Sequence, residues 1–116
     1  MEKTYSMEKK EFEKSVSFHF DKLAEYSTDA IISRTVLNKQ TGTVTLFAFD
    51  KGQSLSEHTA PFDAMVQIVE GVGLININGK EFTMQTGETV IMPANVPHSV
   101  FAAERFKMVL TMIRSN

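Results

Sequence analysis

The chain contains no cysteine and no tryptophan among its 116 residues, and its charges nearly balance at a formal net charge of -2. Without cysteine, disulfides and thiolate-bound zinc are excluded, and the composition is compatible with a reducing cytosol. The charge balance gives no electrostatic reason to expect nucleic acid or an anionic membrane as a partner. No apolar run reaches bilayer length and no signal-peptide core is visible, so we expect a cytoplasmic protein.

The N-terminal part of the sequence has a different pattern from the rest. Residues 1–14 combine opposite charges at helical spacing with almost no apolar stripe, which predicts a charged tail or a marginal helix. Over residues 15–20, apolar and polar side chains alternate, which predicts a half-buried strand. Asp21 is a candidate cap for a short helical turn over residues 21–26. We therefore divide the chain into a charged tail, 1–14, and a single folded domain, 15–116.

From residue 31 onwards the sequence is typical of short strands separated by turn residues. Asn78 and Gly79 form the strongest hairpin signal, because a type I′ turn needs positive φ at both central residues. Many short strands with glycine turns and no long helical period predict an all-β sandwich or closed barrel. The predicted strands cover residues 31–37, 42–49, 64–69, 73–77, 80–84, 89–92, 99–102 and 106–113.

Two segments, 52–71 and 87–102, fit together as the two halves of one site. They resemble the paired motifs of the cupin family, G-x5-H-x-H-x3-E-x6-G and G-x5-P-x-G-x2-H-x3-N. The residues in register with these motifs are Gly52, His58, Gly71, Gly87, Pro93 and His98. Asn95 replaces a motif glycine, which is a mild exchange because asparagine tolerates the left-handed region. The resemblance covers roughly residues 31–113 and implies a small antiparallel jelly-roll barrel, the double-stranded β-helix fold.

The same motifs show which of the family's metal ligands this chain lacks. Ala60 occupies the position of the second histidine, and Ala64 that of the glutamate. Ala102 stands where the second motif ends in asparagine. A divalent ion needs at least three protein ligands, and the two remaining histidines, His58 and His98, make an incomplete set.

Strand parity limits which other side chains could complete a metal shell. In the family register His58, Val66 and Ile68 share the inward face of the barrel. Gln67 has the opposite parity and could reach a metal only if a bulge shifted the strand by one residue. The resemblance therefore implies His58 and His98 as weak metal ligands, with Gln67 as a conditional third.

Three interpretations of His58 and His98 stay open. They could hold a divalent transition metal at low occupancy, with water or a ligand atom completing the shell. They could instead be hydrogen-bonding groups that orient a small molecule at the mouth of an apolar pocket. They could also be inherited barrel residues whose polar atoms are satisfied by backbone or water. His19, in contrast, is predicted to be a solvated surface histidine.

Large apolar side chains can either line such a pocket or simply fill the barrel core. Strands 44–49 and 107–113 carry apolar residues on both parities, so both of their faces must be covered. One cover is the barrel interior, and we expect the other to come from a second copy in a homodimer, as in small single-barrel cupins. The candidate ligand contacts, in addition to the two histidines, are Phe47, Val66, Ile68 and Met92.

The resemblance does not select one function, because the barrel hosts several reaction types and binding modules. One hypothesis is a barrel protein that binds a small molecule and is metal-free or weakly metal-binding. The alternative is a metal-dependent enzyme of the isomerase, dioxygenase or decarboxylase type, acting on a small oxygenated or sugar-acid substrate. The sequence has no phosphate-binding glycine loop, no G-x-S-x-G elbow and no cysteine nucleophile to favour another class.

Overall fold

Nine β-strands form the fold in the computed structural model, which describes residues 5–8 and 10–114. Over these ranges the only helical element is a single 3₁₀ turn, Phe20–Lys22, and no helix is long and apolar enough to cross a membrane. The strands are β1 (Tyr5–Glu8), β2 (Ile31–Lys39), β3 (Gly42–Phe49), β4 (Ser54–His58), β5 (Asp63–Ile77), β6 (Lys80–Gln85), β7 (Thr89–Met92), β8 (His98–Phe101) and β9 (Phe106–Ile113).

The strands curl into one barrel in which every pairing except β1 with β2 is antiparallel. The strand order is β1-β2-β3-β9-β5-β8-β4, and β6 and β7 also pair with β5. The first half of β5 pairs with β7 and β9, and its second half pairs with β6 and β8. Because one strand belongs to both faces, the sheet closes on itself, which confirms the predicted small antiparallel jelly-roll barrel.

The long strand β5 differs from the sequence prediction, which placed a break between residues 69 and 73. Gly71 does carry a positive φ of 79°, but the chain bends there without leaving the sheet. The register with β9 shifts between Ile68 and Glu70, so a bulge absorbs the bend. A Cβ at Gly71 would lie 2.7 Å from the carbonyl oxygen of Arg105, so the close approach also requires glycine.

Most of the remaining turns and strands agree closely with the sequence, although β4 was not among the predicted strands. Strands β2, β3, β6, β7, β8 and β9 lie within two residues of their predicted ends. Asn78 and Gly79 have φ values of 51° and 83°, which confirms the hairpin between β5 and β6. Asn95 has φ 65°, so it adopts the left-handed conformation of the glycine that it replaces.

The barrel buries two separate apolar clusters, one on each face of the β2-β3-β9 sheet. On β3, Phe47 and Phe49 point into the interior cluster, whereas Leu46 and Ala48 belong to the outer cluster. Over residues 46–49 and 106–109 both faces of these strands are therefore covered, as the pattern predicted. The interior cluster consists of Ile31, Phe47, Phe49, Ala64, Val66, Ile68, Ile75, Met84, Met92, Val100, Ala102, Phe106 and Met108.

The outer cluster is covered by the chain itself, whereas the sequence analysis expected this cover to come from a second copy in a homodimer. Phe12, Phe20, Leu23 and Tyr26 pack against the outer cluster, and Ala24 is buried within it. We call residues 10–26 the strap. The outer cluster does not by itself require a second copy of the chain.

The strap is not the strand predicted for residues 15–20. Residues 16–19 have no regular secondary structure, and Ser15 has a φ of 65° that breaks any extended run. Val16 and Phe18 stay exposed, so the alternation does not divide a buried face from a solvated one. The 3₁₀ turn that follows is capped by His19 without a side-chain hydrogen bond, so the predicted Asp21 cap is also wrong.

Residues 1–14 include a strand where the sequence predicted a tail or a marginal helix. Tyr5–Glu8 pairs in parallel with the start of β2, from Ile31 to Arg34. Further along, the Phe12 amide donates to the carbonyl of Val36, so the segment follows the edge of the sheet. Opposite charges at helical spacing were a weak signal because backbone pairing to an exposed sheet edge outweighs isolated ion pairs. The domain boundary at residue 14 stays a prediction.

A partly buried polar cluster fastens the strap to the barrel. The Lys107 ammonium donates to the carbonyl of Asp21 at 2.5 Å and lies 3.5 Å from the Glu70 carboxylate. The Tyr26 hydroxyl donates to the same carboxylate at 2.5 Å, and the Lys107 nitrogen lies 4.9 Å from the Tyr26 ring centroid. Burial, together with the bond to Glu70, raises the pKa of Tyr26, so the phenol keeps its proton.

We predict that Lys107→Met lowers the free energy of unfolding by about 2 kcal/mol, because it removes a charge-assisted bond and leaves a strap carbonyl unpaired. Urea unfolding followed by circular dichroism measures the change. Lys51→Met is the matched control, since Lys51 and Glu104 form an exposed pair at 3.6 Å and its loss should cost less than about 0.5 kcal/mol. Equal losses in the two variants would contradict a fastening role for Lys107.

Candidate functional site

The two motif histidines lie directly opposite each other on neighbouring strands. His58 ends β4, His98 begins β8, and the two residues are partners in the β4–β8 ladder. Their ring centroids are 4.4 Å apart, and the rings are tilted by 69° in an edge-to-face arrangement. This confirms that the two halves of the sequence motif meet at one place in the barrel.

A β-bulge in β4 turns His58 towards the interior. The register with β8 passes from Leu55 opposite Val100 to His58 opposite His98, so one extra residue lies on β4. Leu55 packs against the interior cluster, and strict alternation would have placed its inward neighbour at Glu57. The extra residue therefore brings an imidazole, rather than a carboxylate, to the inner face. The sequence did not reveal this bulge.

Each imidazole is held by the backbone carbonyl of the residue two positions earlier in the chain. His58 Nδ1 lies 2.8 Å from the carbonyl oxygen of Ser56, and His98 Nδ1 lies 3.1 Å from that of Val96. A carbonyl can only accept a hydrogen bond, so Nδ1 carries the proton in both rings. In the neutral form of each ring, Nε2 then presents a lone pair. These backbone contacts leave no trace in the sequence.

The two rings differ in their exposure to solvent. His98 is buried, with 7% of its surface accessible, whereas His58 is exposed at the barrel mouth. Burial lowers the pKa of His98, and the neighbouring His58 lowers it further, while the Val96 carbonyl acts in the opposite direction. His98 is therefore neutral at neutral pH. His19 is exposed on the strap, as the sequence predicted.

Hydrogen bonds between the two motif loops form the rim of this mouth. The amide of Asn95 donates to the carbonyl of Ala60 at 2.7 Å, and the amide of Ala94 donates to Asp63 Oδ1 at 2.9 Å. From the other side, the amide of Asn78 donates to the carbonyl of Pro97 at 2.8 Å. Asp63, an exposed carboxylate at the start of β5, thus holds the second loop in place.

Below the histidines the barrel is apolar. Ala64 is the cross-strand partner of both Met92 and Met112, and Ile77 is the partner of His98. Met92 is buried, and Met112 and Ile77 pack against the interior cluster. The sequence pattern gave no indication that Leu55 and Ile77 are neighbours of the site.

The candidate contacts predicted from the sequence lie within this apolar interior. Phe47, Val66, Ile68 and Met92 all belong to the interior cluster, and each is at most 5% exposed. They form its packed floor, whereas the two histidines lie at its open end. Direct contact between a ligand and these four side chains stays a prediction.

The side chains present do not complete a divalent metal site. Among the described residues there is no cluster of three or more histidine, cysteine or carboxylate side chains that could hold an ion. Gln67 pairs continuously with Thr89 and Val109, without the register shift that would turn it inward. Asp63 is exposed and already accepts the Ala94 amide. Two imidazoles alone provide two of the three ligands that such an ion needs.

Comparison with known proteins agrees with this architecture. The cupin domain profile matches residues 45–114. A conserved protein of unknown function from Streptococcus pyogenes is 32% identical, with a TM-score of 0.87 over 92% of this chain and 94% of its own. A cupin 2 conserved barrel domain protein from Leptotrichia buccalis is 37% identical, with a TM-score of 0.81 over 84% of this chain and 47% of its own.

More distant structures share the fold alone. A salicylate 1,2-dioxygenase variant from Pseudoaminobacter salicylatoxidans is 18% identical, with a TM-score of 0.67 over 72% of this chain and 26% of its own. Among proteins of curated function, none matches the chain. The profile match spans more than half of the sequence, and the Streptococcus pyogenes structure covers nearly all of it. This chain therefore belongs to the cupin family.

Proposed function

We propose that this cupin barrel binds a small molecule at its mouth, between the imidazoles of His58 and His98 and the apolar interior. The observation that supports the proposal most directly is the pair of rings, 4.4 Å apart, each held by a backbone carbonyl. A few oriented polar groups above an apolar floor are typical of small-molecule sites. Ala60 and Ala64 leave less side chain in the mouth than the histidine and glutamate of the family motif.

A divalent transition metal binds such a site only weakly in this proposal. The two imidazoles would be its ligands, and water or an atom of the bound molecule would complete the shell. The alternative function, a metal-dependent enzyme of the isomerase, dioxygenase or decarboxylase type on a small oxygenated or sugar-acid substrate, needs a third protein ligand. The inward positions that could supply one are occupied by alanine.

We predict that a bound small molecule shifts the methyl NMR signals of Met92 and Met112, which flank Ala64, and leaves Met65 unchanged. A fragment library of small oxygenated molecules, screened against methyl-labelled protein, provides the measurement. His58→Ala should weaken the binding of any hit about tenfold by removing one polar contact. His19→Ala is the matched control and should bind normally. Shifts confined to Met65, or none across the library, would contradict the proposal.

We also predict that the protein, purified without an affinity tag, holds well under one equivalent of transition metal. The double substitution Ala60→His with Ala64→Glu should raise binding to one equivalent of Ni²⁺ or Mn²⁺, because it supplies the missing imidazole and carboxylate. Calorimetry and elemental analysis measure both values. In the control, Ala60→His with Ala103→Glu, the carboxylate is on an exposed position outside the barrel. Stoichiometric metal in the unaltered protein would favour the enzyme alternative.

We further propose a homodimer that uses the part of the outer face left open by the strap. On this face, Met65 of β5 is the cross-strand partner of Ile91 on β7 and of Thr111 on β9. Ile113 lies two residues further along β9, on the same face as Thr111. Ile91 and Ile113 are each 62% exposed, and with Met65 and Thr111 they line one groove. Within residues 5–8 and 10–114, strand β7 pairs only with β5, so a two-fold partner can approach this edge.

We predict that Ile91→Lys combined with Ile113→Lys converts a dimer to a monomer, because it places like charges across an apolar two-fold contact. Light scattering at micromolar concentration measures the mass. Phe101→Lys is the control, since Phe101 is 43% exposed but lies on β8, away from this face. A monomeric unaltered protein, or equal loss of mass in the control, would contradict this arrangement.

A further inference from the structure

We infer that the mouth of the barrel selects a hydrogen-bond donor, such as a hydroxyl or an amine, carried on an apolar body. A carboxylate or phosphate in the same position is disfavoured. The inference rests on the proposed function and names the chemical class of its ligand. It is based on which polar atoms at the site can accept a hydrogen bond and which can donate one.

The two imidazoles present acceptors rather than donors. Because Nδ1 of each ring donates to a carbonyl, of Ser56 or of Val96, the only ring nitrogen left in the neutral form is an unprotonated Nε2. Across the described ranges, neither Nε2 has a hydrogen-bond partner in the protein. A ligand atom facing these nitrogens must therefore bring its own hydrogen.

The pairing of the rings strengthens the selection. Their centroids are 4.4 Å apart, so one small polar group at the mouth lies close to both rings. A primary amine, or two neighbouring hydroxyl groups, can donate to both nitrogens at once. A carboxylate would bring its own lone pairs against them, and a buried polar contact without a hydrogen costs free energy instead of providing it.

Two backbone amides at the rim are already paired and so provide no alternative anion site. The amides of Ala94 and Asn95, which would be the natural donors of this loop, are already bound to Asp63 and to the carbonyl of Ala60. An anion entering the mouth would lose hydration without gaining these donors. The rim therefore reinforces the preference set by the imidazoles.

The surroundings of the rings determine the rest of the ligand. Leu55 lies on the inner face of β4, and Ile77 is the cross-strand partner of His98. Both pack against the interior cluster, and Ala64 is buried beside Met92 and Met112. A molecule whose donor group reaches the imidazoles places its remaining atoms against hydrocarbon and thioether groups. This arrangement favours an apolar body over a fully hydroxylated one.

The first part of the test is the tautomer of each ring. Long-range ¹H–¹⁵N correlation spectra of the protein at pH 8 should show protonated Nδ1 and unprotonated Nε2 for both His58 and His98. His19→Gln simplifies the spectrum without touching the site. The opposite tautomer in either ring would overturn the inference, whether or not any ligand binds.

The second part compares probes of matched shape: benzyl alcohol, benzylamine and benzoate. Titrations at pH 8, followed on the Nε2 signals and on the Met92 and Met112 methyl groups, should show the alcohol and the amine binding at least about tenfold more tightly than benzoate. Benzoate binding as tightly as benzyl alcohol would overturn the inference and leave the proposed function standing. If no probe shifted these signals, both the inference and the proposed small-molecule site would fail.

The substitution His58→Gln provides an internal check on the mechanism. Glutamine carries both a donor and an acceptor at its amide, so it can turn its NH₂ group towards an anion. The preference for benzyl alcohol over benzoate should therefore fall about tenfold in this variant. His58 is exposed, so the substitution leaves the core packing intact. An unchanged preference would show that the imidazole lone pair does not set the selectivity.

Discussion

The need to cover an apolar sheet on both faces is the constraint from which the rest of this structure follows. Strand β3 sends Phe47 into the barrel and Leu46 out of it, and neither residue is more than 5% exposed. Closing the sheet into a barrel buries the first face, and the strap buries the second. Because the strap lacks regular hydrogen bonding over residues 16–19, specific contacts such as Lys107 to the Asp21 carbonyl must hold it.

The packed interior of the closed barrel also explains why the site lies at its mouth. A closed barrel filled by packed side chains leaves polar groups only at its ends, where strands meet loops. There the bulge in β4 and the loop after β7 each deliver one histidine, and each ring is fixed by a carbonyl two residues earlier in the chain. The hydrogen bonds from the amides of Ala94 and Asn95 to the opposite loop hold the two histidine-bearing segments in a fixed position relative to each other. The imidazoles are therefore oriented before any ligand arrives, which lowers the cost of ordering on binding.

The sequence predicted the barrel well because its strands carry strong local signals and its turns need special residues. Asn78, Gly79 and Asn95 all have the positive φ that their identities indicated. It failed for residues 15–20, where alternation was real but the contacts that decide burial come from distant strands. The facing histidines were predictable from motif spacing. The bulge and the carbonyls of Ser56 and Val96 were not, because backbone geometry imposes no choice of side chain there.

Loss of two motif ligands changes what the remaining pair can do. A carbonyl that accepts from Nδ1–H leaves the Nε2 lone pair of the neutral ring unused, and such a lone pair serves a metal ion and a hydrogen-bond donor equally well. The metal ion and the hydrogen-bond donor differ in how many further ligand atoms each needs from the protein. With Ala60 and Ala64 in the mouth, an ion would depend on water for most of its shell, whereas an alcohol or amine needs only the two nitrogens and an apolar surface below them. We therefore propose that the scaffold that would orient two metal ligands recognises a hydrogen-bond donor in this chain.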